Sequence, residues 1–121
     1  MIVCKDFKFD AAHNLTVYKG KCEKLHGHTY FLSVSVVGTK NKETGIVIDF
    51  LELKNIVRDK IIHKLDHSYL NDFFSNPTTE IVAEWIFSTL KPLLKSELYQ
   101  LFEVKLSETS TSHVIIRNQT Q

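Results

Sequence analysis

The chain begins with two stretches in which apolar and polar residues alternate, a period of two that predicts β-strands. The first covers residues 2–9 and is expected to end before Asp10, and the second covers residues 26–38. Two shorter alternations near the end of the chain predict a third and a fourth strand at 102–106 and 113–117.

A first helix is predicted directly after the second strand and its turn. Asp49 is expected to cap it, and Glu52 three residues later completes an arrangement similar to a capping box. Apolar residues then recur at helical spacing as far as Ile61, and the helix is expected to end near His63 and Lys64.

A second helix is predicted after Pro77, because proline suits the first helical turn. Asn76 or Thr78 is expected to cap it, and its apolar residues continue to about Leu94. Pro92 lies in that last stretch and favours an earlier end of the regular helix.

The predicted order is therefore β-β-α-α-β-β, which indicates an α+β fold. Two helices can cover one face of a four-stranded, mainly antiparallel sheet, and both edges of such a sheet stay open. Open edges favour pairing with identical subunits, so we expect a closed ring in which the sheets join into a barrel. Residues 1–121 are predicted to form one domain, because no linker, repeat or low-complexity tract interrupts them.

Charge and composition narrow the class of ligand. The formal net charge is +1, and the lysines and arginines are spread along the chain, which is not the pattern of a nucleic-acid-binding surface. No apolar run is long enough for a membrane span or a secretory signal, so a cytoplasmic location is expected. A small-molecule ligand is the remaining expectation.

Three histidines have the spacing of a metal site. His26 and His28 lie two residues apart and project from one face of a strand, and His13 on a neighbouring segment could supply a third nitrogen. Zinc held by three protein ligands with one open position is the catalytic pattern, whereas structural zinc sites are normally closed by four ligands. The alternative interpretation of a histidine pair in a strand is a set of surface or hydrogen-bonded core residues.

The two cysteines are expected to differ in role. Cys4 lies in the alternation of the first strand, where packing in the core is predicted. Cys22 lies in a polar loop close in sequence to the metal site, and a nearby cation favours the nucleophilic thiolate.

A family resemblance rests on six segments taken together. In chain order they are Phe9-Asp10-Ala11-Ala12-His13, Cys22-Glu23-Lys24-Leu25-His26-Gly27-His28, Gly45-Ile46-Val47-Ile48-Asp49-Phe50, Leu65-Asp66-His67, Asn76-Pro77-Thr78-Thr79-Glu80 and Ser107-Glu108-Thr109. The chain resembles the family of 6-pyruvoyltetrahydropterin and 6-carboxytetrahydropterin synthases. That resemblance implies the tunnelling fold, in which trimers form barrels and stack as hexamers with active sites at subunit interfaces.

The resemblance also implies a reaction and roles for individual residues. The implied substrate is 7,8-dihydroneopterin triphosphate, converted with Zn²⁺ to 6-carboxy-5,6,7,8-tetrahydropterin, acetaldehyde and triphosphate for queuosine biosynthesis. Cys22 is then the candidate base, and His67 with Asp66 the proton relay. Glu108 would anchor the pterin ring through two parallel hydrogen bonds, with three further candidates for the same pocket: Thr79, Glu80 and Thr109.

Several alternatives stay open at this stage. Three residues separate Cys22 from His26, which favours the bacterial 6-carboxy branch over a 6-pyruvoyl enzyme that keeps the three-carbon side chain. A zinc-stabilised binding module without turnover is a rival from another class. Asp66 and His67 could be a loop pair, and Glu80 could be placed for the helix dipole. Candidate phosphate contacts are only weakly indicated, at Lys21 and Lys24.

Overall fold

One mixed sheet with helices against one face forms the frame of the protein. The computed structural model describes residues 1–19 and 23–119. Its strands are β1 (Ile2–His13), β2 (His26–Gly38), β3 (Ser68–Tyr69), β4 (Tyr99–Ser107) and β5 (His113–Arg117). Its helices are α1 (Phe50–Val57), α2 (His63–Leu65) and α3 (Thr79–Leu90). The strands lie side by side in the order β3-β1-β2-β4-β5.

The first strand is longer than its alternation predicted. The expected end before Asp10 was wrong, because β1 continues to His13 and pairs antiparallel with β2 along its whole length. The extra residues have no alternation strong enough to be recognised, but each lies opposite a paired residue on β2. This pairing places His13 opposite His26, and Ala11 opposite His28.

A fifth strand corrects the predicted four-stranded sheet. Ser68 and Tyr69 pair in parallel with Ala11 and Ala12 at the edge of β1. A strand of two residues is too short to show a period of two, so the sequence predicted only a connection here. β3 covers the β1 edge at these two positions, and among the described residues no strand pairs with the β1 edge before Asp10 or with the outer edge of β5.

The helices begin where capping residues were predicted. The Asp49 carboxylate accepts a hydrogen bond from the amide of Leu51, and the Thr78 hydroxyl accepts one from the amide of Ile81. A π-helical segment, Arg58–Ile62, joins α1 to α2. Within the described residues, no helix has the length and apolar character needed to cross a membrane.

The second predicted helix ends earlier than its apolar residues suggested. Helix α3 stops at Leu90 rather than at Leu94, because Pro92 has no N–H to donate along the helix. Leu94 is nevertheless fully buried, which explains why the apolar pattern continued past the end of the helix.

The core lies between the helices and one face of the sheet. Phe7, Phe9, Tyr30 and Leu32 point into it from β1 and β2. Cys4 belongs to the opposite, exposed face, where its sulfur accepts a hydrogen bond from the Ser35 hydroxyl at 3.1 Å. The prediction that Cys4 packs in the core was therefore wrong, because strand alternation puts it out of phase with the two phenylalanines.

Candidate metal and catalytic site

Three imidazoles meet where the core face of β1 and β2 ends. The strand pairing directs His13, His26 and His28 to that face, and one ring nitrogen from each lies within 4.8 Å of the others. The Nε2 atoms of His13 and His26 are 3.1 Å apart. Each pair of rings meets edge to face, so the three rings do not stack on one another.

Backbone carbonyls fix which nitrogen faces the cluster. Nδ1 of His13 is 2.9 Å from the Pro77 carbonyl oxygen, and Nδ1 of His26 is 2.9 Å from the Lys24 carbonyl oxygen. A carbonyl can only accept, so both Nδ1 atoms carry the proton and donate. In the neutral imidazoles, Nε2 then presents its lone pair to the cluster, as a metal ligand must.

His28 supplies the third nitrogen. Its buried Nε2 has no hydrogen-bond partner among the described residues. Burial lowers the pKa of His28, and the neighbouring His13 and His26 lower it further, against the opposing effect of Glu108. A lowered pKa keeps His28 neutral near pH 7, which is the form that binds metal. These three nitrogens fit a zinc ion.

Aromatic side chains form the floor beneath the cluster. Tyr30 is fully buried and stacks on Phe9, with ring centroids 5.0 Å apart. The rings of His13 and His28 meet the Tyr30 ring edge to face. Burial is the main cause that raises the pKa of Tyr30, so this residue stays a neutral phenol. The floor is thus buried and uncharged.

Asp66 and His67 form a second polar group. An Asp66 carboxylate oxygen lies 3.1 Å from Nδ1 of His67, so the pairing of these sequence neighbours is geometrically possible. The other oxygen of Asp66 accepts from the backbone amide of Asp10 at 2.9 Å, and the His67 amide donates to the Asp10 carbonyl at 2.6 Å. That hydrogen bond from Asp10 is the main cause that lowers the pKa of Asp66, and His67 adds to it.

The backbone of His67 is strained. Its φ is +60°, in the left-handed region that residues with a Cβ rarely adopt. The side chain is 80% exposed, so no packing explains the strain. Strain of this kind is often found at functional sites.

The two polar groups face opposite sides of the sheet. A carboxylate oxygen of Asp10, a carboxylate oxygen of Asp66 and a ring nitrogen of His67 lie within 4.8 Å of one another. Asp10 projects from the exposed face of the sheet, because it is out of phase with His13 along β1. A depression connects the region of His28 with that of His67; it is lined by Asp10, Ala11, Ala12, Gly27, His28, Thr29, His67 and Ser68. Within one chain, however, the structure does not bring the His67 ring onto the three imidazoles.

The remaining predicted site residues are spread around the cluster. Glu108 is next to it, with Oε1 3.5 Å from Nε2 of His13 and 3.5 Å from Nε2 of His28. Thr109 is exposed on the following turn, where its hydroxyl meets that of Thr111. Thr79 is buried and Glu80 exposed in the first turn of α3. That turn follows Pro77, whose carbonyl holds His13.

Cys22 and Lys21 lie outside the described residues, but contacts hold both ends of their loop. The amide of Glu23 donates to the Leu15 carbonyl at 2.8 Å, and the Asn76 side chain accepts from the amides of Thr16 and Val17. Asn76 therefore anchors this loop instead of capping α3. Sequence reasoning missed that role, and it also missed the carbonyls of Pro77 and Lys24, because any residue can offer a carbonyl.

Comparison with known proteins identifies the family of this site. The model of the 6-pyruvoyl tetrahydropterin synthase family matches residues 2–119. The chain belongs to the 6-pyruvoyl tetrahydropterin synthase family. A Synechocystis protein named 6-carboxy-5,6,7,8-tetrahydropterin synthase is 38% identical over 92% of this chain and 88% of its own length.

Two further relatives carry other names within the same family. A Pyrococcus furiosus protein named dihydroneopterin monophosphate aldolase is 43% identical over 74% of this chain and 75% of its own length. The solved structure of Caenorhabditis elegans 6-pyruvoyl tetrahydropterin synthase superposes with a TM-score of 0.84 at 26% identity, covering 98% of this chain and 96% of that one. The subunit fold expected from the resemblance, an α+β chain of the tunnelling-fold type, is thereby confirmed, and the assembly into trimers and hexamers stays a prediction.

The low pKa of Asp66 leads to a pH-dependent effect on stability. We expect Asp66→Asn to lower the free energy of unfolding at pH 7 by about 1 kcal/mol, because a charge-assisted hydrogen bond becomes a neutral one and the carboxylate is a third exposed. A carboxylate with a lowered folded pKa stabilises the protein above its unfolded pKa and loses this effect as pH falls through the folded value. The difference between variant and wild type should hold from pH 7 to about pH 5 and shrink below about pH 4. Urea unfolding across this range measures it; a difference that grew towards acid would contradict the assignment.

Backbone strain at His67 leads to an unusual order of stabilities. We expect His67→Gly to be more stable than His67→Ala by about 1 kcal/mol, because glycine adopts the left-handed conformation without the cost that a Cβ imposes. His63, whose backbone is helical at φ −59°, is the matched control. There the glycine variant should be less stable than the alanine variant by about 1 kcal/mol. Equal stabilities of the two His67 variants would show that the backbone is unstrained.

Proposed function

We propose that residues 1–121, as one domain, convert 7,8-dihydroneopterin triphosphate to 6-carboxy-5,6,7,8-tetrahydropterin, acetaldehyde and triphosphate. The observation that carries this proposal is the convergence of three histidine ring nitrogens beside the Glu108 carboxylate. Membership of the pterin synthase family and the name of the Synechocystis relative support the substrate class. The product would feed queuosine biosynthesis.

Zinc is the metal proposed for His13, His26 and His28. Bound there, it would polarise the side-chain hydroxyl groups of the substrate and make the neighbouring C–H and O–H groups more acidic. The carbonyls of Pro77 and Lys24 support this role, because they keep two of the imidazoles in the ligating tautomer. The aromatic floor supports it by keeping water from the protein side of the cluster.

Proton transfer is the proposed task of three side chains. Cys22, as thiolate, would remove a proton from the substrate side chain. His67 would pass protons to and from the oxygens of that side chain, and Asp66 would hold its ring in place through Nδ1. The Asp66 carboxylate is well suited to orient a base, because the Asp10 amide already fixes one of its oxygens.

Recognition of the pterin ring is assigned to Glu108. Its carboxylate can accept two parallel hydrogen bonds from the 2-amino group and the adjacent ring N–H. Thr79, Glu80 and Thr109 are proposed to complete the same pocket. The exposure of Glu80 and Thr109 would let them meet a ligand entering from solvent.

Assembly of identical chains is part of the proposal. The free edges of β1 and β5 can pair with other copies, and closure of such pairing gives the barrel of a trimer, two of which would stack as a hexamer. A neighbouring subunit would also explain why the His67 ring and the three imidazoles lie on opposite faces of one sheet. The protein would act in the cytoplasm on a small molecule, without nucleic acid or membrane partners.

Two other reactions of the same family are alternatives. A 6-pyruvoyl tetrahydropterin synthase would eliminate triphosphate and keep all three side-chain carbons. An aldolase acting on dihydroneopterin monophosphate would leave a hydroxymethyl group on the ring. The three-residue spacing between Cys22 and His26 favours the 6-carboxy reaction over the 6-pyruvoyl one.

Product analysis tests the reaction. Zinc-loaded protein incubated with 7,8-dihydroneopterin triphosphate should release acetaldehyde and a carboxylated tetrahydropterin, both followed by mass spectrometry. Cys22→Ala should lower the rate at least about 100-fold, the usual scale for loss of a general base. Protein stripped by a chelator should also be inactive but should keep its fold, as measured by circular dichroism.

Each other result of that assay has a meaning. A pyruvoyl product without acetaldehyde would move the protein to the first alternative, and a hydroxymethyl product from the monophosphate to the second. Absence of turnover, with unfolding on metal removal, would favour a zinc-stabilised binding module.

A site shared between subunits can be tested by mixing two inactive variants. His28→Ala lacks a metal ligand, and His67→Ala lacks the proton relay. If the two residues serve one site from different chains, random 1:1 mixed oligomers should recover about a quarter of the wild-type activity, since both intact partners must meet by chance. Activity is measured after the oligomers are dissociated and reassembled together, with each variant reassembled alone as control. No recovery in verified mixed oligomers would show that both residues come from one chain.

A further inference from the structure

The Glu108 carboxylate lies among the atoms that would hold the metal. Its Oε1 is 3.5 Å from Nε2 of His13 and 3.5 Å from Nε2 of His28. Both nitrogens are the ones that face the cluster, and Nε2 of His28 has no other partner among the described residues. The side chain of Glu108 is 30% exposed to solvent, yet its Oε1 lies against the imidazoles.

Hydrogen bonding makes this position informative. The Pro77 carbonyl requires the proton of His13 on Nδ1, so Nε2 of a neutral His13 directs a lone pair at the carboxylate. A lone pair and a carboxylate oxygen repel each other unless a proton or a metal cation lies between them. Glu108 and these imidazoles therefore point their electron-rich atoms at one place, as the ligands of a cation do.

The separations match neighbouring ligands of one metal ion. Ligand atoms of tetrahedral zinc lie about 3.3–3.5 Å apart when the zinc–ligand bonds are about 2.0–2.1 Å long. The two separations from Glu108 are 3.5 Å, and the separation between His13 and His26 is 3.1 Å. We propose that Glu108 is the fourth metal ligand of the resting site, and that a bound pterin ring removes it from the metal.

This exchange rests on the proposed function, because it uses the same carboxylate for metal and substrate. The backbone of Glu108 is held by its amide, which donates to the Ser112 carbonyl at 3.0 Å. The side chain beyond it has three rotatable bonds and one solvent-exposed side. The pterin amino group and ring N–H compete for the carboxylate, and the metal gains an open position only when they succeed. Substrate binding thereby activates the site.

Metal affinity and cobalt absorption test the resting ligand without any turnover. We compare the full chain with Glu108→Gln, and Glu84→Gln on the exposed side of α3 is the matched control. Glu108→Gln should bind zinc about 10- to 100-fold more weakly in competition with a chelator, and its Co²⁺ form should show a changed visible spectrum. Glu84→Gln should match the wild type in both. Unchanged affinity and an unchanged spectrum in Glu108→Gln would overturn the proposal. Should that variant fold poorly, Glu108→Asp, too short to reach the metal, replaces it.

The exchange itself is tested on the unmodified protein. A pterin without a side chain, which cannot bind the metal through hydroxyl groups, is titrated into the Co²⁺ form of the wild type. Binding, followed by pterin fluorescence, should change the cobalt spectrum in parallel. Binding without a spectral change would overturn the exchange. Absence of binding would count against both the exchange and the proposed pterin substrate, while the zinc affinity of Glu108→Gln would still decide whether Glu108 is a ligand.

Discussion

The antiparallel register between β1 and β2 is the constraint on which the site depends. It sets His13 opposite His26 and Ala11 opposite His28, so that a small residue leaves room for the third imidazole. Strand side chains alternate with a period of two, and a slip of one residue would turn a histidine to the other face. The buried core behind the cluster resists such a slip, because the same slip would expose Phe7 and Phe9. The register that buries the core is therefore the same register that brings the three histidines together.

Backbone carbonyl and amide groups orient the side chains that the strand register brings together. Two carbonyls determine the tautomers of His13 and His26, and the Asp10 peptide unit holds both Asp66 and His67. Backbone atoms in regular or tightly packed segments move less than side chains, so their hydrogen bonds hold the side chains of the site in fixed orientations. The cost is local strain at His67, whose positive φ is compensated by its hydrogen bond to Asp10.

The polar groups of the candidate site are divided between the two faces of the sheet. Three imidazoles and an uncharged aromatic floor occupy the core face, whereas the carboxylates of Asp10 and Asp66 with His67 lie towards the exposed face. Under the proposed function, such separation would place a Lewis-acidic metal on one side and proton carriers accessible to solvent on the other. A neighbouring subunit at the free β1 edge is the simplest way to bring these halves to one substrate under the proposed function.

The sequence by itself determined the two long strands, the two main helices and the last two strands in their order, and it indicated the three histidines that converge, because hydrophobic period, helix caps and residue chemistry are local properties. It gave β2 and β5 their observed bounds and placed the caps at Asp49 and Thr78. Only the tertiary structure decided that β1 continues to His13, that β3 joins the sheet and that Asn76 anchors a loop. It also decided the tautomers of the histidines and the position of Glu108 against them. These features depend on hydrogen bonds and charges between residues distant in the chain, which no local pattern encodes.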